Sequence, residues 1–71
     1  MQRFYFHVTA DDLKIADLVG IDLKDSAAAR QHAETQLTEI WAQRVLTGLP
    51  PLSGWLEVVD SEERAVLSLP L

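Results

Sequence analysis

A single long helical segment with strand-like sequence on both sides is the feature that most limits the folds open to this chain. Between residues 26 and 47, apolar side chains recur at steps of three and four, which places them on one face of an α-helix. Asp25 or Ser26 can cap its first turn, and Gly48 with the Pro50-Pro51 pair can end it. The shared face carries Ala29, Ala33, Leu37, Ile40, Trp41 and, near the end, Arg44. A chain with one such helix must bury this face against a sheet.

The segment before the helix opens with a predicted strand at residues 3–9. Phe4, Phe6 and Val8 alternate with their neighbours at the period of two that is typical of a half-buried strand. We expect these three side chains on the core face. We also expect this strand to be central in the sheet, because three of the chain's five aromatic residues lie next to one another in it. Residues 18–23 fit a short second strand, with Gly20 as a bulge or turn.

Two further strands are predicted after the helix, at residues 54–60 and 65–71. A turn at residues 61–63 joins them into an antiparallel hairpin. Alternation along the two strands predicts four side chains on the face toward the helix: Leu56, Val58, Leu67 and Leu69. It predicts four others on the reverse, outer face of the sheet: Trp55, Glu57, Val59 and Val66.

The predicted elements combine into one α+β domain over residues 1–71. The arrangement is a two-layer β-(β)-α-β-β fold, with a small, mostly antiparallel sheet and one long helix on one face. A helix of about 22 residues spans about 33 Å, which is long for a four-stranded sheet. We therefore expect its last turns to overhang the sheet and to offer Trp41, Val45 and Leu46 to another surface.

Four short motifs resemble those of a known family. The chain reads Arg3-Phe4-Tyr5-Phe6-His7-Val8, then Asp17-x-x-Gly20-x-x-Leu23, then Asp25-x-x-x-Ala29-Arg30, and finally Leu69-Pro70-Leu71. In order and spacing these are similar to a family of very short bacterial proteins of unknown function, over nearly the whole chain. That family has an Asp-x-x-Gly turn near its end, whereas here Glu63 stands at the glycine position. The resemblance implies a fold and no activity.

Charge and composition argue against several classes of function. The chain has 11 acidic and 6 basic residues, and its formal net charge of -5 argues against a nucleic-acid partner. Without cysteine it has neither a disulfide framework nor a thiolate zinc site. No stretch approaches the roughly 20 apolar residues of a membrane span. We therefore expect a cytoplasmic protein with no membrane partner.

The sequence predicts no catalytic, cofactor or metal site. His7 could serve as a metal ligand or general base, but no second histidine shares its strand, and His32 is predicted on the polar side of the helix. The acids of the next stretch do not have the spacing of a calcium loop, and we interpret them as turn and capping residues: Asp11, Asp12, Asp17, Asp22 and Asp25. No serine lies in a nucleophile motif, so we expect a protein that is not an enzyme.

The outer face of the sheet is the first candidate interaction surface, because one helix cannot cover both faces. This face gathers Tyr5, His7, Trp55, Val59 and Val66, and the helix end with Trp41 and Leu46 is the second candidate. We expect an interaction module that forms a homodimer, since a domain of this size has little core of its own. Two alternatives remain open. The four acids and one base in residues 50–71 fit an antitoxin-like or adaptor protein that masks a basic partner, and Tyr5, His7 and Trp55 could bind a small ligand or metal.

Overall fold

Antiparallel strands form one sheet, and a helix packs on one face of it. The computed structural model describes residues 1–11, 13–50 and 53–71. Asp12, Pro51 and part of the loop after the helix, with the roles predicted for them, lie outside the described residues. The elements are β1 (Gln2–Ala10), β2 (Leu13–Ile15), β3 (Ile21–Leu23), α1 (Ser26–Leu46), β4 (Gly54–Asp60) and β5 (Ala65–Pro70). The predicted α+β fold is confirmed.

The first strand lies at the centre of the sheet, as predicted. The order is β2-β1-β4-β5, and β3 also pairs with β1, so that β2 and β3 share the same side of β1. All of these pairings are antiparallel. In register, Phe6 lies opposite Val58, which in turn lies opposite Leu67. These three side chains therefore lie on one face of three neighbouring strands.

The region between β1 and the helix differs from its prediction. A strand was expected over residues 18–23, but only Ile21–Leu23 pairs with β1, and Leu13–Ile15 forms an additional strand. Gly20 has a φ of +75°, a left-handed backbone conformation that interrupts an extended strand. The chain therefore enters β3 one residue after this glycine.

Both ends of α1 are fixed by local hydrogen bonds. The Asp25 carboxylate accepts the backbone N–H of Ala28 at 2.9 Å, which confirms the predicted N-terminal cap. At the other end Gly48 adopts a φ of +70°, and its N–H donates to the Val45 carbonyl while that of Leu49 donates to the Arg44 carbonyl. This is the Schellman arrangement, so the predicted role of Gly48 is confirmed. In the described part of the chain, no helix is both long and apolar enough to cross a membrane.

The core lies between the first half of α1 and the middle of the sheet. It consists of Phe4, Phe6, Leu56, Val58, Ala29 and Ala33. Ala29 and Ala33 are the buried residues of the helix, and their small side chains let it approach the sheet closely. Farther along, Val45 is 79% exposed and Leu46 is 86% exposed. The predicted overhang of the helix is confirmed.

Two side chains lie on a different side of the molecule from the one predicted. Val58 pairs with Leu67 but Val59 pairs with Ala65, so a bulge leaves Val66 as the extra residue. Strict alternation fails at a bulge, and Val66 packs against the core instead of lying on the outer face. His32 was expected on the polar side of the helix. It is half-buried, with its ring 4.7 Å from the ring of Phe6.

The turn between β4 and β5 contains a residue with a left-handed backbone conformation. Glu63 has a φ of +63°. The Asp60 carboxylate accepts the N–H groups of Glu62 and Arg64, each at 2.9 Å, and the Asp60 carbonyl accepts the N–H of Glu63. These bonds hold Glu63 in a conformation that costs a side chain about 1–2 kcal/mol.

Candidate functional site

The loop at residues 16–20, called here the Asp17 loop, is attached to the middle of β1 by side-chain hydrogen bonds. The Asp17 carboxylate accepts the backbone N–H groups of Phe6, Val19 and Gly20, each at 3.1 Å. The backbone N–H of Asp17 in turn donates to Nδ1 of His7 at 2.9 Å. Asp17 and His7 therefore join the loop to the stretch of β1 that lies between its pairings with β2 and β3.

Glycine is required at the end of this loop for two separate reasons. Its φ is positive, and a Cβ atom built on Gly20 would lie 2.9 Å from the Phe4 carbonyl oxygen, the Arg3 Cγ and the Tyr5 Cε2. Beside it, the Arg3 guanidinium bonds both oxygens of the Asp22 carboxylate, at 2.9 and 3.1 Å. Its Nη1 also donates to the Val19 carbonyl at 3.0 Å. The loop thus lies tightly against β1.

Local hydrogen bonds lower the pKa of two carboxylates, Asp17 in the loop and Asp22 in β3. Partial burial alone would raise the pKa of Asp17, but the three backbone N–H groups bonded to it outweigh burial and lower that pKa below its ordinary value. The hydrogen bond from Arg3 lowers the pKa of Asp22, and the same pair raises the pKa of Arg3. Asp17 is therefore a poor proton donor near neutral pH. Its carboxylate instead accepts the hydrogen bonds of the backbone N–H groups around it.

His7 contacts the backbone of the Asp17 loop through its ring. Because Nδ1 accepts a hydrogen bond, the neutral ring carries its proton on Nε2. Within residues 1–11, 13–50 and 53–71, no three His, Asp or Glu side chains come together in a group that could hold a metal ion. The acids interpreted as turn and capping residues include Asp17 and Asp25, whose bonds to backbone N–H groups agree with that interpretation.

Comparison with family models matches residues 3–71 to DUF6894, a domain of unknown function. The chain belongs to the DUF6894 family. In this DUF6894 chain, four residues of the motifs quoted above meet at the Asp17 loop: Arg3, His7, Asp17 and Gly20. Their contacts hold the Asp17 loop against β1. Neither the search of curated proteins nor the search of solved structures finds a match to the chain.

The outer face of the DUF6894 sheet brings together most of the residues predicted for it. Tyr5 lies opposite Val59, His7 opposite Glu57, and Trp55 opposite Thr9. Trp55 is 50% exposed, whereas Tyr5, His7 and Val59 are half-buried. Leu18, in the Asp17 loop, is 87% exposed and lines a hollow of about 290 Å³ beside Tyr5 and Val59. Sequence reasoning missed Leu18, because its position depends on how the loop folds back on β1.

The end of the helix forms a second surface, called here the helix tip. It consists of Trp41, Val45, Leu46 and Leu49, all of which are exposed. A hollow of about 360 Å³ lies between the tip and Leu71. The Arg44 guanidinium donates to the Pro50 carbonyl at 2.8 Å through Nε, which fixes the chain just after the helix. The predicted exposure of Trp41 and Leu46 is confirmed.

A third surface, called here the side groove, was not predicted from the sequence. It is an open groove of about 590 Å³ between the β1–β3 side of the sheet and one flank of α1. The sheet contributes Phe6, Val8, Ile15 and Ile21, and the helix contributes His32, Thr35, Gln36 and Glu39. The strand side chains in the groove are thus apolar and its helix side is polar, and Asp17 and Gly20 of the Asp17 loop also line it. One signal was available, because His32 is three residues after the buried Ala29 and so borders the buried stripe.

Proposed function

We propose that this protein is a protein–protein interaction module without enzymatic activity, and that it acts as a homodimer. The observation that carries the proposal is the imbalance between exposed and buried apolar side chains. In the described part of the chain, the exposed large apolar side chains outnumber the buried ones, and the exposed set includes both tryptophans. Apolar surface on this scale is typical of proteins that meet a partner.

The exposed area supports a partner of about the protein's own size. A globular monomer of 7.9 kDa exposes about 4,400 Å² by the usual scaling with mass, whereas this chain exposes 5037 Å². The excess of about 600 Å² approaches the roughly 800 Å² that each partner buries in a stable interface. A second copy is the simplest such partner, because two-fold homodimers are the commonest closed assemblies.

The absence of enzymatic activity is proposed from the use of the polar groups. The His7 ring and the Asp17 carboxylate are both bonded to backbone N–H groups that hold the Asp17 loop. A catalytic pair would need these atoms free to reach a substrate. We also propose a cytoplasmic location, with which the lack of cysteine agrees.

Mass and thermal stability test the homodimer directly. Sedimentation equilibrium at micromolar concentration should give twice the chain mass of 7.9 kDa. The melting temperature should rise with protein concentration, because association stabilises only the folded chain. A chain mass that stays at 7.9 kDa up to millimolar concentration, with an unchanging melting temperature, would overturn the proposal.

A basic protein partner is a second candidate, favoured by the charge of the β4–β5 hairpin. Glu57, Asp60, Glu62 and Glu63 lie close together in this hairpin, opposed by Arg64 alone within residues 53–71. A lysine-rich peptide should bind and change Trp55 fluorescence, with an affinity that falls steeply as salt rises. Reversing the charge at Glu62 and Glu63 should abolish that binding. Binding of equal strength to the reversed variant would contradict this candidate.

A further inference from the structure

We propose that the two copies of the homodimer join reciprocally, so that the helix tip of each copy lies in the side groove of the other. This inference rests on the proposed homodimer and names its interface. In this arrangement the second copy covers part of the helix side of the sheet, and the outer face with Trp55 remains exposed.

The helix tip has the chemistry of a buried element, yet its apolar side chains are exposed in the described part of the chain, residues 1–11, 13–50 and 53–71. Val45 is 79% exposed and Leu46 is 86% exposed, and Trp41 is 49% exposed. Glu39, two residues before Trp41, is the last acidic residue of the helix, and Arg44 is the only charged side chain between Trp41 and Pro50. The tip is thus an apolar projection of low charge, which suits the interior of an interface.

The tip is also held in a fixed shape without a partner. The Schellman bonds at Gly48 and Leu49 satisfy carbonyls at the helix end, and Arg44 bonds the Pro50 carbonyl. A helix end that leaves its sheet frays when nothing restrains it. A tip already ordered in the free chain loses little conformational entropy on binding, which favours association.

The side groove presents an apolar surface that α1 does not cover. Register puts Ile15 beside Val8 and Ile21 beside Phe4, all on the face of the sheet that holds the helix. The helix, however, makes its main contacts with β3, β4 and β5. Ile15 therefore remains 56% exposed on a core-facing side of the sheet. At about 590 Å³, the groove is large enough to take several side chains of a partner.

The helix tip lies at the end of the sheet where β2 begins, and β2 supplies Ile15 to the side groove. The N–H of Leu71, which lines the hollow at the tip, donates to the Gly54 carbonyl, and Gly54 pairs with Ala10. Ala10 in turn pairs with Leu13 of β2. A two-fold axis at this end can therefore bring each tip to the other copy's groove.

Only the reciprocal arrangement covers both surfaces with a single type of contact. A tip-to-tip dimer would leave Ile15 and Ile21 exposed, and a dimer through the outer face would leave both the tip and the groove exposed. The excess area of about 600 Å² per chain approaches the roughly 800 Å² that each partner buries in a stable interface.

Two matched charge substitutions test which face is used. Val45→Glu, at the tip, should convert the dimer to a monomer at concentrations where the wild type is dimeric. Trp55→Glu, on the outer face, should leave the dimer intact, and both sites are exposed enough for the chain to fold, as circular dichroism would check. A monomer from Trp55→Glu with a dimer from Val45→Glu would overturn this inference while the homodimer stands. A monomeric wild type would overturn the homodimer itself.

Cysteine cross-linking gives a second, independent test, because the natural chain has no cysteine. A Val45→Cys chain and an isotope-labelled Ile15→Cys chain are mixed and oxidised gently, and the linked species are identified by mass. We expect the mixed disulfide to exceed either self-linked product by at least fivefold. Predominant self-linking of Val45→Cys would show tip-to-tip contact and overturn the inference. Thr9→Cys, on the outer face, should not link to Val45→Cys.

Discussion

Removing the Asp17 carboxylate should destabilise the fold, because one side chain satisfies three backbone donors. In Asp17→Ala the N–H groups of Phe6, Val19 and Gly20 lose their acceptor. The bonds to Phe6 and Gly20 are part-buried, and the bond to Val19 is exposed to water. Counting about 1 kcal/mol for each part-buried bond and nothing for the exposed one, the loss is about 2 kcal/mol.

This loss is large for so short a chain. A domain of this length is stable by about 4–10 kcal/mol in total. A loss of about 2 kcal/mol should lower the melting temperature by about 8–16 °C. Urea unfolding at one fixed protein concentration measures it, with Asp22→Ala as the control, since Asp22 holds only an exposed bond with Arg3. A change in Asp17→Ala no larger than that of the control would refute the reasoning.

The same substitution should change how stability depends on pH. The pKa of Asp17 is lower in the folded chain than in the unfolded chain, so the folded state binds its proton less readily. The contribution of Asp17 is therefore fully present above the unfolded pKa of about 4, and it is lost as pH falls through the lower folded value. Asp17→Ala should lose less stability than the wild type on acidification below pH 4. Parallel acid profiles for the two proteins would contradict the role given to this carboxylate.

Two further predictions concern backbone positions with positive φ. Gly20→Ala should destabilise the fold by about 3 kcal/mol or more, because the new Cβ would clash with the Phe4 carbonyl oxygen and two side chains. Gly48→Ala should cost only about 1 kcal/mol, because a Cβ there has open space. Urea titration of both variants measures the difference. Glu63→Gly should stabilise by about 0.5–1 kcal/mol, because φ is +63° there, and a lower unfolding midpoint would contradict it.

The elements that could be predicted from the sequence are those in which apolar residues recur at the period of a strand or a helix. Phe4, Phe6 and Val8 alternate over enough residues to define a strand, and Leu56 and Val58 do the same in β4. Each of these side chains faces the core as predicted. The helix was equally clear, because its spacing, its Asp25 cap and its Gly48 end are all local features.

The elements that could not be predicted depend on pairing between distant residues. Leu13–Ile15 is too short to show a period, and it is a strand only because it lies beside the end of β1. Val66 follows the alternation of its own strand, but its partner register changes between Val58 and Val59. A bulge of this kind turns the side chain of one residue to the other face of the sheet, and the local sequence pattern does not indicate it.

The candidate surfaces were predictable only in part for the same reason. The exposed end of α1 follows from its length and apolar residues, so Trp41 and Leu46 could be named in advance. The side groove could not, because it depends on β2 and on where the helix packs, with its main contacts on β3, β4 and β5. The spacing of Asp17 and Gly20 was visible as a motif, but the groups of β1 that they contact lie ten or more residues away.

Both edges of the sheet are poor templates for adding another strand, and this bears on solubility. On one side the edge is divided into β2 and β3, three residues each, and Asp17 takes up the Phe6 N–H that lies between them. On the other side Pro70 lacks an N–H in β5, at a point where the Leu71 N–H turns inward to Gly54. Interrupted edges of this kind hinder the edge-to-edge pairing of strands from different chains that builds fibrils. A chain that exposes so much apolar surface can therefore meet partners through its faces without polymerising through its edges.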